Sequence, residues 1–404
     1  MLHTLACVAL LIPVATGISC LDEAGSRVDW WFMIKRPQSG EFVYMTSATS
    51  QTGVFEPGSQ PVTDSTSLLG KELAQIYDGS IKNYIFYNDE LPNGTWTEEY
   101  GHTKGFLGWD DSTAFWVQHS VPKFPNFVSE GYLYGQGQEI YGQHAFCMTM
   151  STANIDELAT VMQYSDPLIY DYHTDGSLQN IEDLLHGKVA ESGTIIKDIA
   201  LPWGSMRLFG KTSAAYVDMM NDVIAPNFKS SMLSQSWLNS GEPFGSTCPK
   251  SGYDVFDVAE LQLPPSETHD THKDHSKWAV EKATTVGDAF PYACGIDNNH
   301  VHSQLRRAGL AACMQELGLS KALRSAAMKI TPCGGPSPTP APPSKRCCFY
   351  HDDSCSAGTL CCSATHRSYQ SEKTCMQYGA PHRCRWTGSE CVVPSTNDVE
   401  AVVV

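Results

Sequence analysis

The feature that most limits the fold of this chain is a motif written twice. Gly101-His102-Thr103-Lys104-Gly105 and Asp274-His275-Ser276-Lys277-Trp278 each carry an imidazole and an ammonium two residues apart, and about half of the 404 residues separate them. In extended backbone successive side chains alternate faces, so each His shares a face with its Lys. One such triplet would mean little. Two predict a single site assembled from two similar halves. Phosphodiester cleavage suits that set: one imidazole attacks phosphorus while a second protonates the leaving oxygen. Two lysines then hold the non-bridging oxygens and stabilise the charge of the transition state. His102, Lys104, His275 and Lys277 are therefore the candidate catalytic residues, and the scheme needs no metal. The plainer alternative is two unrelated surface triplets.

The words around the triplets favour the first reading. Val28-Asp29-Trp30, Tyr87-Asn88-Asp89, Phe115-Trp116, His119-Ser120-Val121-Pro122 and Tyr141-Gly142-Gln143 occur in that order. With the two His-x-Lys motifs they resemble the deoxyribonuclease II family of acid endonucleases, from about Cys20 to Cys333. The resemblance implies an α/β fold of the phospholipase D-like kind, an α+β sandwich with two pseudo-symmetric halves facing a groove. It implies metal-independent cutting of double-stranded DNA to 3′-phosphate and 5′-hydroxyl ends; the scarcity of basic clusters with interleaved aromatics predicts little sequence specificity. By analogy with phospholipase D-type enzymes His102 is the nucleophile, forming a phosphohistidine, and His275 the general acid. The residues alone allow the reverse order.

Three further positions enter on the resemblance as supporting residues. Asp110 matches an acidic position of the family, although a turn-forming aspartate beside Asp111 accounts for it as well. His119 matches a family histidine after Phe-Trp, set against an ordinary core histidine. Asn299 is retained within Ile296-Asp297-Asn298-Asn299-His300, where family members usually read Gly-Asp-x-Asn-Arg. They continue with Arg-Gly-Gly-Gly; this chain has Arg306-Arg307-Ala308-Gly309-Leu310. Fewer glycines restrict how closely backbone approaches phosphate, which is expected to weaken or re-aim DNA binding. The resemblance also implies disulfides Cys20–Cys147, Cys248–Cys333 and Cys294–Cys313; spacing alone leaves every pairing open. No cofactor is implied, and a homodimer remains open.

Charge and cysteines set the workplace. The formal charge is −17, and the pI is about 5.2. The acidic surplus lies in the body, because acidic and basic residues balance beyond position 334. Such a surface repels a phosphate backbone at neutral pH and does so far less near the pI. Of 15 cysteines, Cys7 falls in an apparent signal peptide at 1–19, six in the body and eight in 347–394. Even counts suit an oxidising compartment, so the expected destination is the secretory pathway, lysosomal or secreted. No later apolar run is long enough to span a bilayer. Asn93-Gly94-Thr95 is a glycosylation sequon.

The expected organisation is a first half at 20–165, a second at 166–333, a Pro-rich linker at 334–346, a cysteine-rich module at 347–394 and a disordered tail at 395–404. So small a module cannot bury enough apolar surface, so disulfides are expected to hold it; its partner is unknown. Strands are expected at Val28–Lys35, Asn83–Asn88, His102–Trp109, Phe115–His119, His144–Met150, Met206–Phe209 and Ser231–Trp237. Helices are expected at Ser67–Tyr77, Ile155–Met162, Ala214–Ile224 and Met314–Met328, with loops at Leu263–Lys273 and Pro291–Cys313. His269, His272 and His275, spaced by three, offer a rival metal site if that segment is helical; Pro264-Pro265 argues for a loop and no metal. Other rivals are a phosphodiesterase acting on RNA or lipid, and a non-catalytic secreted toxin or binding protein on the same fold.

Overall fold

The computed structural model describes residues 17–239, 242–249, 252–283, 290–334, 385–386 and 391–392. The expected signal peptide as far as residue 16, the linker beyond 334, nearly all of the cysteine-rich module and the tail lie outside the described residues. Within that last stretch Arg385–Trp386 pairs antiparallel with Cys391–Val392.

Two large sheets form the body. The first, antiparallel throughout, runs Ile169–His173, Asn83–Asn88, Lys104–Trp109, Thr113–His119, Gln143–Ser151, Trp30–Lys35, Phe42–Thr46, Glu56–Pro57. The second runs Thr194–Leu201, Gly204–Lys211, Gly309–Gln315, Tyr292–Ile296, Trp278–Glu281, Met232–Gln235, Val255–Leu263, Glu267–Asp270. Its one parallel pair joins Met232–Gln235 to Val255–Leu263. The architecture is a mixed α/β sandwich, in keeping with a phospholipase D-like fold.

Period-two alternation explains the layering. Trp30, Phe32 and Ile34 face the central core, where they join Leu208, Trp278, Val280, Leu310 and Ala312 of the second sheet. Trp31 and Met33 face the other way, onto the helix Leu68–Tyr77 through Leu69 and Leu73. Phe209, Ile296 and Ala311 pack similarly against Met219, Met220 and Ile224 on the outer side of the second sheet. Both faces of each sheet are thus covered, so the strands read as almost unbroken apolar runs. The helices start where side chains cap them. Ser67 accepts from the Gly70 N–H at the first, and Ser151 and Asn154 form a reciprocal capping box at Thr152–Ser165.

Several sequence expectations are corrected. The run Asp166–His173, expected to open the second half, instead contributes the strand Ile169–His173, which pairs with Asn83–Asn88 at the edge of the first sheet; the second sheet begins at Thr194. The expected loop Leu263–Lys273 contains an edge strand, Glu267–Asp270, whose polar side chains, exposed except for His269, hide it from apolar patterning. Pro291–Cys313 contains two paired strands, with Cys294 opposite Cys313 in register. The helix expected from Met314 begins at Leu317, because Met314 and Gln315 complete a strand. Disulfides join Cys20 to Cys147, Cys248 to Cys333 and Cys294 to Cys313.

Candidate active site

Both triplets sit immediately before central strands. Lys104 opens Lys104–Trp109 in the first sheet, with His102 two residues earlier. His275 and Lys277 precede Trp278–Glu281 in the second. Neither histidine lies within a strand, contrary to the expectation for His102. Each is fixed instead by the opposite half. The His102 N–H donates to Ala308 O at 2.9 Å, and the His275 N–H donates to Gly142 O at 2.8 Å. Both histidines are half-buried as residues, although His275 Nε2 itself is buried, and Lys104 and Lys277 are buried.

These contacts bring the four groups within mutual electrostatic reach. Enclosure pulls the His102 pKa well below the ordinary imidazole value; Lys104 pulls the same way, Asp89 opposes, and Lys277 and Arg307 add to the lowering. His275 is lowered by burial, then by Lys277, Lys104 and Lys35. Burial and Lys104 bring the Lys277 ammonium down to about 7, against Asp297, Asp89 and Asp274. Cations this close repel each other and attract one shared anion.

The carboxylates nearby are already engaged. Asp89 receives Lys104 on one oxygen and Arg307 at 2.9 Å on the other. Burial alone would raise its pKa, but Lys104, His102 and Arg307 outweigh that and hold it below the usual carboxylate range. Asp297 accepts from Gln118 Nε2 and from the Leu310 N–H, both at 3.1 Å. Burial nevertheless pushes its carboxyl up to about 8.

The two imidazoles are held differently. His102 Nδ1 lies 2.8 Å from the carbonyl oxygen of Asp297. A carbonyl can only accept, so Nδ1 carries the proton and the lone pair of the neutral ring is on Nε2. His275 is held between aromatic rings, stacked on Tyr141 at 4.1 Å and packed against Trp237 at 3.9 Å. Its Nε2 has no hydrogen-bond partner among the described residues.

The remaining candidates divide. Asn299 Oδ1 accepts from the Trp237 main-chain N–H at 3.2 Å, while the indole N–H donates to His272 O at 2.9 Å, so Asn299 fixes the backbone that carries the ring packed on His275. His119 is buried at the end of its strand, opposite the start of Lys104–Trp109; its Nδ1 accepts from the Val121 N–H at 3.2 Å. Burial, Lys104 and Lys277 hold it neutral. Asp110 is not with them. It lies at the far end of the strand from Lys104, about 20 Å away at 3.3 Å per residue, and accepts from the Ser112 and Thr113 N–H groups in the Trp109–Thr113 turn. The rival histidine triplet is dispersed too: His269 pairs with Asp274, His272 with Asp270, and His275 sits between the two rings. Asn93, in the exposed turn, accepts from the Thr95 N–H.

Sequence reading gave no role to Asp89, Arg307, His144, Tyr141 or Trp237. His144 Nδ1 accepts from the Lys277 N–H at 3.0 Å. The altered glycine run is filled with packing: Ala308 and Leu310 are buried. Gly309 is retained where a Cβ would lie 2.0 Å from Asn298 Oδ1.

Comparison with known proteins settles the lineage. A sequence model of deoxyribonuclease II matches residues 19–333. The chain belongs to the deoxyribonuclease II family. It is 32% identical to cell-death-related nuclease 7 of Caenorhabditis elegans, over 78% of this chain and 88% of that protein. It is 28% identical to plancitoxin-1 of Acanthaster planci, over 80% and 95%, and 26% identical to human deoxyribonuclease-2-beta, over 79% and 92%. Membership makes it a nuclease-type hydrolase with DNA as its substrate class. No helix among the described residues is long and apolar enough to cross a membrane.

Proposed function

We propose that this chain is an acid endonuclease that hydrolyses DNA phosphodiesters without a metal, through a phosphohistidine at His102. The observation that carries the reading is the hydrogen bond from His102 Nδ1–H to Asp297 O, which leaves Nε2 as the nucleophilic atom. In the first step Nε2 bonds to phosphorus, the bond to the 5′ oxygen breaks, and that oxygen takes its proton from His275. In the second step His275 takes a proton from water, whose oxygen attacks phosphorus. The N–P bond breaks, leaving a 3′-phosphate and a 5′-hydroxyl.

The aromatic faces of Tyr141 and Trp237 favour the charged form of His275, which the acid role needs. A bound phosphodiester anion between the cations acts in the same direction. Lys104 and Lys277 hold the non-bridging oxygens, with Arg307 tied behind them through Asp89. They supply the positive charge that a metal would otherwise provide, and Asp89 and Asp297 are engaged by N–H donors rather than free to ligate one.

The acid preference has a physical source in Lys277. Its charge is complete well below pH 7 and is lost as pH rises through about 7, so kcat/KM should fall across that range. The −17 charge of the chain works in the same sense. Localisation in lysosomes or outside the cell fits the disulfides and the acid chemistry, and Asn93 is the proposed glycan site. Plasmid nicking at pH 5 in EDTA tests the reading. Chelator-resistant cutting to 3′-phosphate ends is expected; no cutting at any pH would leave a binding protein, and loss with EDTA a metal enzyme.

A further inference from the structure

The two sheets share a second correspondence that the catalytic scheme does not use. Trp30–Lys35 and Gly204–Lys211 each end in a fully buried lysine. Lys35 Nζ donates to the carbonyls of Arg36 (2.8 Å), Ser39 (2.9 Å) and Glu139 (2.8 Å). Lys211 Nζ donates to those of Val217 (2.8 Å), Gln304 (2.8 Å) and Leu305 (3.3 Å). An ammonium has three protons, and here all three reach main-chain oxygens. Neither lysine forms an ion pair among the described residues. Asp274 and Glu139 attract Lys35, and Asp218 and Asp222 attract Lys211, only beyond contact distance. Burying a cation whose hydrogen bonds all go to carbonyls is costly, so what the captured loops do is informative.

Both loops cross to the opposite histidine. Three residues beyond Glu139 lies Gly142, whose carbonyl accepts from the His275 N–H; Tyr141, between them, stacks on the His275 ring. Three residues beyond Leu305 lies Ala308, whose carbonyl accepts from the His102 N–H; Arg307, between them, reaches Asp89. Gly142 is pressed so closely on Asp274 that a Cβ there would lie 2.4 Å from its carboxyl carbon. That loop has no slack.

We propose that Lys35 and Lys211 are crossed positioning residues: Lys35, in the first half, holds the 139–142 loop that sets His275, and Lys211, in the second half, holds the 304–308 loop that sets His102. Neither touches substrate. Each determines where the other half's imidazole stands.

The inference rests on the roles given to His102 and His275, and a substrate that needs no general acid separates the two ideas. Thymidine 3′-(p-nitrophenyl phosphate) releases a phenolate that leaves without a proton, so its pre-steady-state burst reports attack by His102 alone. On DNA, Lys35→Met and Lys211→Met should each lose on the order of 100-fold in kcat, the usual cost of a misplaced catalytic group. On the activated substrate Lys35→Met should keep its burst, while Lys211→Met should lose it by a similar factor. Lys→Gln at both positions, still able to donate to two carbonyls, replaces either variant that fails to fold and should show the same split at smaller amplitude. Bursts affected equally by the two variants would overturn the inference. His102→Ala and His275→Ala are the controls: should His275→Ala lose the burst as His102→Ala does, the assigned roles fail and take the inference with them.

Discussion

The two halves present the same pair of residues but secure them by different physics. In the first, His102 is hydrogen-bonded through its ring to a carbonyl, and Lys104 belongs to a buried network with Asp89 and Arg307. In the second, His275 Nε2 has no hydrogen-bond partner among the described residues, and the ring rests between Tyr141 and Trp237, whose main-chain N–H donates to Asn299. A hydrogen bond to a carbonyl selects one tautomer of a neutral ring, whereas aromatic faces offset part of the lowering that burial and the lysines impose on His275 and leave its buried Nε2 unbonded among the described residues. The first arrangement suits a nucleophile, the second a group that shuttles a proton. Duplicated motifs need not have duplicated roles.

The largest predicted effect tests the ionic side of that contrast. Asp89→Asn leaves Lys104 and Arg307 buried without a counter-charge, at a cost of about 3–5 kcal/mol, read by urea denaturation. A loss under about 1 kcal/mol would mean that the network is not what secures the first half. The aromatic side should behave otherwise. Trp237→Leu should remove roughly 1–2 kcal/mol of stabilisation from the charged His275, moving the basic limb of the kcat profile to lower pH with kcat on DNA down about 10-fold. An unchanged profile would reduce the ring to packing.

The halves also differ in how their buried charge titrates, and this gives the smallest effect. Asp89 is held by an Arg and a Lys. In the second half His300 lies on Asp257 at 2.7 Å, with Asp218 at 3.8 Å. Burial would lower its pKa, but Asp257 and Asp218 outweigh this and raise it to about 9. A raised histidine stabilises fully below its unfolded value near 6.5 and loses that contribution as pH rises through 9. Lys35 and Lys211, lowered by burial to about 8, act in the opposite sense. The test is therefore the difference in Tm between wild type and His300→Gln, which should narrow from pH 6 to pH 9.5; a constant difference would show that His300 is not charged when folded.

The sequence carries some of this plainly and some not at all. Asn83–Asn88 is read to the residue because its aromatic, β-favouring side chains are buried on both faces. The strands inside Pro291–Cys313 are hidden because Ala, Gly and Cys dominate them. The His-x-Lys pairs are legible because two side chains at fixed spacing do the work. The acceptor for His102 is not, since a backbone carbonyl has no residue type to betray it. Nor is the Asp89–Arg307 pair, whose members lie 218 residues apart. Asp110 misleads for the converse reason: its turn role alone explains an acidic residue at that place.

The most direct test of the account is to trap the covalent step. Single-turnover reaction of thymidine 3′-(p-nitrophenyl phosphate) with the His275→Ala enzyme, quenched in alkali and mapped by peptide mass, should find the nucleotide phosphate on His102, because release of the intermediate needs the missing base. Label on another residue, or p-nitrophenolate released in a burst with no protein-bound phosphate, would contradict it.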